Sequence, residues 1–381
     1  MQVAGKSQHI QEDFLMVTYQ DLGVKPFINA SGTITTLGGS LMPPEVVEAM
    51  QRAAGAFIPL EDLNVKAGEY LARRIGVEAA FVSCGAASGM QLSAAACLTG
   101  TDRKKVQALP HTEGWKNEFV ISMVDAHTYI HQGIEVCGGK LVRVGSQTGV
   151  TTADILGGIG EKTAAVVHFL GRQTKEQLRE VVAGANARGV PVIVDAAAQL
   201  PPRSNLTEVV GIGVSLVTFS GGKGMRGPQN TGLVLGKRAF VDAVRMNGSP
   251  YSAIGRGMKV GKEEIMGLVA TVDRFLAGSD AEDRAAWRRQ ADRVVEAVVG
   301  LPGVQAYVLG EGQQASPDFA PRAYVDIEGG RTAEEVIKAM REGEPPVVIQ
   351  RSAKGVAVDP MTLMPGEEEV VGRRLREVLT A

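Results

Sequence analysis

Apolar residues along this chain fall into two kinds of stretch that take turns. Short continuous runs at 118–124, 140–144, 164–170, 192–194, 214–219 and 233–235 read as strands, the unbroken ones as strands buried on both faces. Between them, polar and apolar positions alternate at helical spacing, as at 175–188. Strands alternating with helices predict an α/β fold whose mostly parallel central sheet is covered by helices on both faces.

From about Gly255 the pattern changes. Apolar positions at Ile265, Leu268, Val269, Val272, Phe275 and Leu276 predict a helix over 262–276, and a second follows at 283–299. Short strands at 304–309, 323–327, 346–350 and 355–358, a helix at 333–341 and a last one from Gly366 read as a smaller α+β domain. The expected division is a polar N-terminal arm over 1–25, a large domain over 26–254 and a small C-terminal domain over 255–381. Within the large domain, 26–44 is rich in Gly, Ser, Thr and Pro and reads as irregular, 45–52 and 66–75 read as helices, and 100–118 reads as a long loop.

Composition narrows the classes. A chain of 381 residues with 44% hydrophobic content buries a large core and is long enough for two domains. A net charge of −2 recruits neither nucleic acid nor an anionic membrane. Cys84, Cys97 and Cys137 are odd in number and lack metal-ligand spacing, which suits a reducing cytoplasm and implies no metal site. No apolar run is long enough to span a bilayer, and the polar start lacks a signal-peptide core.

The chemistry concentrates in residues 214–236, VSLVTFSGGKGMRGPQNTGLVLG. Strand signals flank a glycine-rich loop that presents Lys223, and Gly224 stands where a phosphate-binding P-loop needs Ser or Thr. Upstream, Asp195 ends the run 192–194, at the carboxyl edge where open parallel sheets hold ligands. An Asp after a buried strand and a Lys 28 positions on, after the next strand, suit a pyridoxal phosphate site: the carboxylate keeps the pyridine nitrogen protonated, and the amine forms the Schiff base. A short run ending at 83–85 and an Ala-rich helix beginning near Ala86 place free amides where an anion can sit, with the hydroxyl of Ser88 beside them. His127, after the strand 118–124, is a stacking or acid candidate or a structural hydrogen-bonding residue, and Arg351 a carboxylate clamp or an exposed strand-end cation.

The segments GAAS at 85–88, AH at 126–127, VDAAAQLPP at 194–202, FSGGKGMRGPQNTGLVLG at 219–236 and IGRGMKVGKEEI at 254–265 resemble the fold-type I pyridoxal phosphate enzymes. More narrowly, they resemble the group that includes bacterial selenocysteine synthase and D-glucosaminate-6-phosphate ammonia-lyase. The resemblance implies an aspartate aminotransferase-like fold and pyridoxal 5'-phosphate as cofactor. It implies Lys223 as the Schiff-base lysine, Asp195 as partner of the ring nitrogen, His127 stacked on the ring, and Gly85, Ala86, Ala87, Ser88 and Ser220 around the phosphate. Gln199 lies near the position that contacts the phenolic oxygen, one residue off the desulfurase spacing. It also implies a homodimer or larger assembly.

Within that group, a selenium transferase would need a polyanion-binding surface and an additional N-terminal domain, whereas this chain is slightly acidic and begins its catalytic pattern by about residue 27. Cysteine desulfurases carry a catalytic cysteine late in the chain, and none follows Cys137. The remaining chemistry starts with loss of the α-proton to Lys223. The expected enzyme is an α,β-eliminating lyase that releases ammonia from a small hydroxylated amino acid or an amino-sugar acid, free or phosphorylated; a racemase on the same scaffold is the alternative, and a cofactor-free binding protein a third. Arg351, Arg256 and Lys259 are the candidates for substrate carboxylate or phosphate, within a wider set of Arg103, Lys104, Lys105 and Arg226.

Overall fold

Strands β1 (Ile28–Ala30), β2 (Ala79–Ser83), β3 (Glu118–Ser122), β4 (Lys140–Val144), β5 (Thr163–Phe169), β6 (Val192–Asp195), β7 (Leu216–Ser220), β8 (Gly232–Gly236), β9 (Val304–Leu309), β10 (Arg322–Ile327), β11 (Val347–Arg351) and β12 (Gly355–Val358) form two sheets. The structure is a computed structural model that describes residues 17–125, 127–310 and 320–381. The first sheet runs β2-β8-β7-β6-β5-β3-β4 and the second β1-β11-β12-β10-β9. In the first sheet only β8 is antiparallel to its neighbours. The expected α/β fold with a mostly parallel sheet is the fold observed.

The apolar runs explain this sheet. All seven residues of β5 and all five of β7 are buried, because helices cover both faces. Val192 and Val194 enter one core with Leu178, Val181 and Val217, while Ile193 between them enters the other with Phe119, Val167 and Leu92. The carboxyl ends of β2, β6 and β7 and the start of β8 share one edge, since Ser83 and Ser220 both pair with Gly232 and Asp195 pairs with Thr218.

Three expectations are corrected. Residues 26–44 are not wholly irregular: Ile28–Ala30 pairs in parallel with Val347–Ile349, and Ala30 is buried in the core of the second sheet. Residues 100–118 contain a helix, Arg103–Ala108, because the Asp102 side chain accepts hydrogen bonds from the Lys104 and Lys105 amides. The hydrophobic cores divide near Gly278 rather than at 255. The helix Lys262–Ala277 sends Ile265, Leu268, Val272 and Phe275 into a core of the first sheet, and Ala291, Val294 and Val298 of the next helix join the second. Of the N-terminal arm, residues 1–16 lie outside the described residues; 17–25 are exposed and include a turn in which Asp21 accepts from the amide and hydroxyl of Thr18.

The helix Gly85–Thr99 lies close enough to the sheet that a Cβ at Gly89 would stand 2.6 Å from Thr218 Cγ2, 2.9 Å from Ser83 Oγ and 3.0 Å from Val234 Cγ2. Thr218 and Val234 are fully buried β-branched strand residues that cannot swing aside. Gly89→Ala would gain up to about 1 kcal/mol of helix propensity, but overpacking costs about 1–3 kcal/mol. Net destabilisation is expected, read as a lower denaturant midpoint with an unchanged slope.

Candidate active site

Asp195 closes the central strand β6, and the chain carrying Lys223 leaves its neighbour β7 three residues earlier, at Ser220. The loop between β7 and β8 is tied at its root by the Gly221 amide to Thr231 carbonyl bond, 2.8 Å, and internally by Gly227 to Gly221, 2.8 Å. It admits no side chain at two points: a Cβ at Gly222 would lie 2.4 Å from Gln229 Cα, and one at Gly224 would lie 2.0 Å from the Leu200 carbonyl. Within it Arg226, at φ 61°, is the one non-glycine residue with positive φ among the described residues. A loop this constrained holds Lys223 in a fixed place.

Lys223 faces two cavities. The first is lined by Lys223, Asp195, His127, Asp125, Tyr129 and Gln199, together with 169–172 and 197–198. The second is lined by Lys223, Arg322, Asp359, Gln350 and residues 31–34, among others. Residues from both sheets thus meet around one amine, which makes no hydrogen bond or ion pair of its own among the described residues.

Burial holds the Lys223 ammonium below its ordinary range, and the nearby Asp195 only partly offsets this. Burial likewise raises the Asp195 carboxyl, against the Ala197 amide bonded to Oδ1 at 2.9 Å and the charge of Lys223. Asp195 is half-buried and lines the cavity. Both groups are therefore poised to exchange water for a polar ligand.

His127 precedes the helix Thr128–Val136 on the wall of the first cavity. Its Nδ1 lies 2.8 and 3.0 Å from the two carboxylate oxygens of Asp125, and its backbone amide donates to Oδ1 at 2.7 Å. Tyr129 flanks the ring, and its hydroxyl is pushed up by burial, then by Asp195 and Asp125. Gln199 is buried beside Gly171, where a Cβ would fall 2.3 Å from its amide nitrogen. Gly85, Ala86, Ala87 and Ser88 open the helix Gly85–Thr99, whose first turn has neither a side-chain cap nor an acidic residue. They and Ser220 lie at the same sheet edge but line neither of the two cavities that Lys223 faces.

The basic candidates are placed differently. Arg256 and Lys259 are exposed, and Arg351 is an exposed partner of Glu334; none lines either cavity. The two-residue period of β11 accounts for Arg351, since its neighbour Gln350 is the one turned to the cavity, donating to the Ser31 carbonyl. The arginine in the second cavity is instead Arg322, whose side chain is 16% exposed. Its Nε and a terminal nitrogen lie 3.0 and 2.9 Å from Oδ2 of Asp359, which is 3% exposed. No local signal marks this pair, because the two residues are 37 positions apart. Asp125 did carry one: an Asp two residues before a helix-initiating residue. Burial raises all three cysteine thiols, Cys97 and Cys137 to about 12, so none is a ready nucleophile. No cluster of His, Cys, Asp and Glu suited to a metal occurs among the described residues, and none of their helices is long and apolar enough to cross a membrane.

Comparison with known proteins adds to this geometry. A family model described as L-seryl-tRNA selenium transferase matches residues 126–288. The chain is 32% identical over 377 residues to a D-glucosaminate-6-phosphate ammonia lyase of Salmonella typhimurium, covering 94% of this chain and 97% of that one. A solved structure of D-glucosaminate-6-phosphate ammonia-lyase superposes with a TM-score of 0.79 at 30% identity, covering 95% and 98%. The chain is also 34% identical over 376 residues to a 5'-C-glycyluridine monooxygenase-decarboxylase of a Streptomyces species, covering 95% and 92%. A serine palmitoyltransferase of S. paucimobilis solved with bound PLP shares the fold, at a TM-score of 0.61 and 15% identity over 93% and 88%.

The raised Asp195 carboxyl yields a stability prediction with a definite sign. A carboxyl whose folded value lies above its unfolded one destabilises the fold once both are ionised, and has no effect where both are protonated. Asp195→Asn keeps an oxygen for the Ala197 amide and removes the buried charge. The coenzyme-free variant should therefore be more stable than the wild type at neutral pH. That advantage should shrink as pH falls to the ordinary carboxylate range and vanish below it, read as urea midpoints across a pH series.

Proposed function

We infer the function from one premise: this chain belongs to the fold-type I family that includes D-glucosaminate-6-phosphate ammonia lyase. On that premise the protein is a pyridoxal 5'-phosphate-dependent ammonia lyase acting on a small hydroxylated amino acid, with an amino-sugar acid as the favoured class. The observation that carries the reading is the amine of Lys223, without a hydrogen-bond or ion-pair partner among the described residues, lining one cavity with the carboxylate of Asp195.

The residues present fit the coenzyme. When bound, it supplies a carbonyl carbon that condenses with amines and a ring that accepts the electron pair of a broken bond at Cα. Asp195 is the group that holds a proton on the ring nitrogen, which relieves its own unfavourable burial. His127 and Gln199 would hold the coenzyme from the wall of the first cavity, and the open first turn at Gly85, Ala86, Ala87 and Ser88, with Ser220 at the same sheet edge, would take its phosphate. Lys223, its ammonium already weakened by burial, takes the α-proton at Nζ. Arg322, oriented by Asp359, receives the substrate carboxylate in a planar fork on the far side of Lys223. A β-hydroxyl then departs as water with a proton from the cavity wall, and a second water molecule hydrolyses the dehydrated amino acid to ammonia and a 2-oxo acid.

The same reading assigns a small-molecule substrate and a self-assembled protein. Leu41, Met42, Val47, Phe57 and Ile58 are exposed along one stretch of sequence, an apolar surface that association with another copy would cover. The free thiols suit a cytoplasmic setting. The relative named as a monooxygenase-decarboxylase makes the first bond broken at Cα the point to test.

Lys223→Ala should abolish both the coenzyme's absorbance band near the visible edge and turnover; retained activity refutes its role. A panel of D- and L-amino acids in deuterated water should release ammonia with one substrate class, and α-deuteration without ammonia would mark a racemase. Arg322→Lys keeps the charge but loses the fork, so KM should rise roughly ten- to hundredfold with kcat less affected, from the loss of about 1.5–3 kcal/mol for a hydrogen bond to a charged group.

A further inference from the structure

We infer that Asp125 is a positioning residue that fixes the His127 proton on Nδ1 and so turns Nε2 to the reacting groups in the Lys223 cavity. The inference rests on the reading of that cavity as the coenzyme and substrate site, and deepens it by giving the wall histidine a defined donor and acceptor face.

A carboxylate can only accept hydrogen bonds. Both Asp125 oxygens lie within 3.0 Å of Nδ1, at 2.8 and 3.0 Å, so Nδ1 must carry a proton. Asp125 is in turn fixed, because Oδ1 accepts from the His127 backbone amide at 2.7 Å and its side chain is only 8% exposed. The ring itself is 54% exposed, and Tyr129 packs against it at 5.3 Å between centroids, tilted by 59°. With one nitrogen bound behind and a neighbouring ring beside it, the other nitrogen is the reactive face. Asp125, His127, Asp195 and Lys223 all line this cavity, so a proton moved at Nε2 lies in the same chamber as the amine.

This arrangement gives the departing β-hydroxyl its proton. Lys223 Nζ gains the proton that leaves Cα. Nε2, unprotonated at rest, takes that proton from Nζ across the shared cavity; the C–O bond then breaks with its electron pair going to oxygen, and the proton on Nε2 completes a water molecule. Nε2 ends with a lone pair, and Nδ1 keeps its proton on Asp125 throughout. A purely structural role is the competing account, since an aspartate accepting the amide two residues on is an ordinary way to start a helix.

Asp125→Asn separates the two accounts. The amide oxygen of the new side chain would accept from the His127 backbone amide, as Oδ1 does now, so the helix start survives. The amide nitrogen would then face Nδ1 and donate to it, forcing the ring proton onto Nε2. Long-range proton–nitrogen correlation spectra of uniformly ¹⁵N-labelled protein read this directly, with His127→Gln identifying the His127 signal among the five histidines. The wild type should show a proton on Nδ1 and the variant one on Nε2. In coenzyme-loaded protein the variant should lose about a hundredfold in kcat, with KM and the absorbance band little changed.

A wild-type ring protonated only on Nε2, or a variant that changes tautomer yet keeps full kcat, overturns the inference. If the asparagine variant does not fold, Asp125→Ser, which still accepts from the backbone amide but offers no carboxylate, should lose kcat to a similar extent; full activity there is equally fatal. A wild type that binds no coenzyme but shows the Nδ1 proton would instead bring down the coenzyme reading alone.

Discussion

An amine and a carboxylate, both stripped of most of their water, face one cavity at the carboxyl edge of a parallel sheet without neutralising each other. Lys223 and Asp195 are near enough for each to feel the other's charge, yet neither escapes the cost of burial. In a protein with no use for a ligand, a direct ion pair or a change to apolar residues would relieve that cost. Here β6 and β7 hold the two apart, and the tied loop after Ser220 prevents the lysine from folding back. The unfavourable electrostatics of this pair are what a charged, polar ligand between them would relieve, which marks the cavity as a site rather than a packing flaw.

The second sheet matters because it supplies what the first lacks. The large sheet brings Asp195, Lys223, Gln199, His127 and Arg172 to one edge, but the arginine–carboxylate pair of the second cavity comes from elsewhere. Arg322 at the start of β10 and Asp359 just after β12 provide it, and the Asp359 amide donates to Ala30 at the end of β1. The short strand near the N-terminus thereby ties the wall of the second cavity to the chain that leads into residues 31–34 on its opposite side.

The readable parts of the sequence were those whose cause is local. Buried strands such as β5 and β7 announce themselves as unbroken apolar runs, and Asp195 and Lys223 sit at strand ends where backbone geometry puts ligand groups. Gly85, Ala86, Ala87 and Ser88 were legible for the same reason, as a strand giving way to an uncapped helix. Arg322 was not, because its meaning comes from a partner 37 residues away and from a sheet register that no window of sequence contains. Arg351 illustrates the converse: a basic residue after an apolar run looked functional, but the pleat of β11 turns it outward and gives the cavity Gln350. The change of core near Gly278 was hidden because the helix Lys262–Ala277 has the same periodicity whichever sheet it packs against.

The pairing of β1 with β11 joins residues 28–30 to residues 347–349, almost opposite ends of the chain. A ribosome making this protein finishes the lining of the first cavity, Asp125 through Lys223, long before it reaches Arg322 and Asp359. The strand β1 must therefore wait unpaired until β11 emerges. Vectorial synthesis imposes an order on the two cavities: the side chains of the first are all made before the second gains Arg322, Gln350 and Asp359, and its wall closes last against residues 31–34, made near the start.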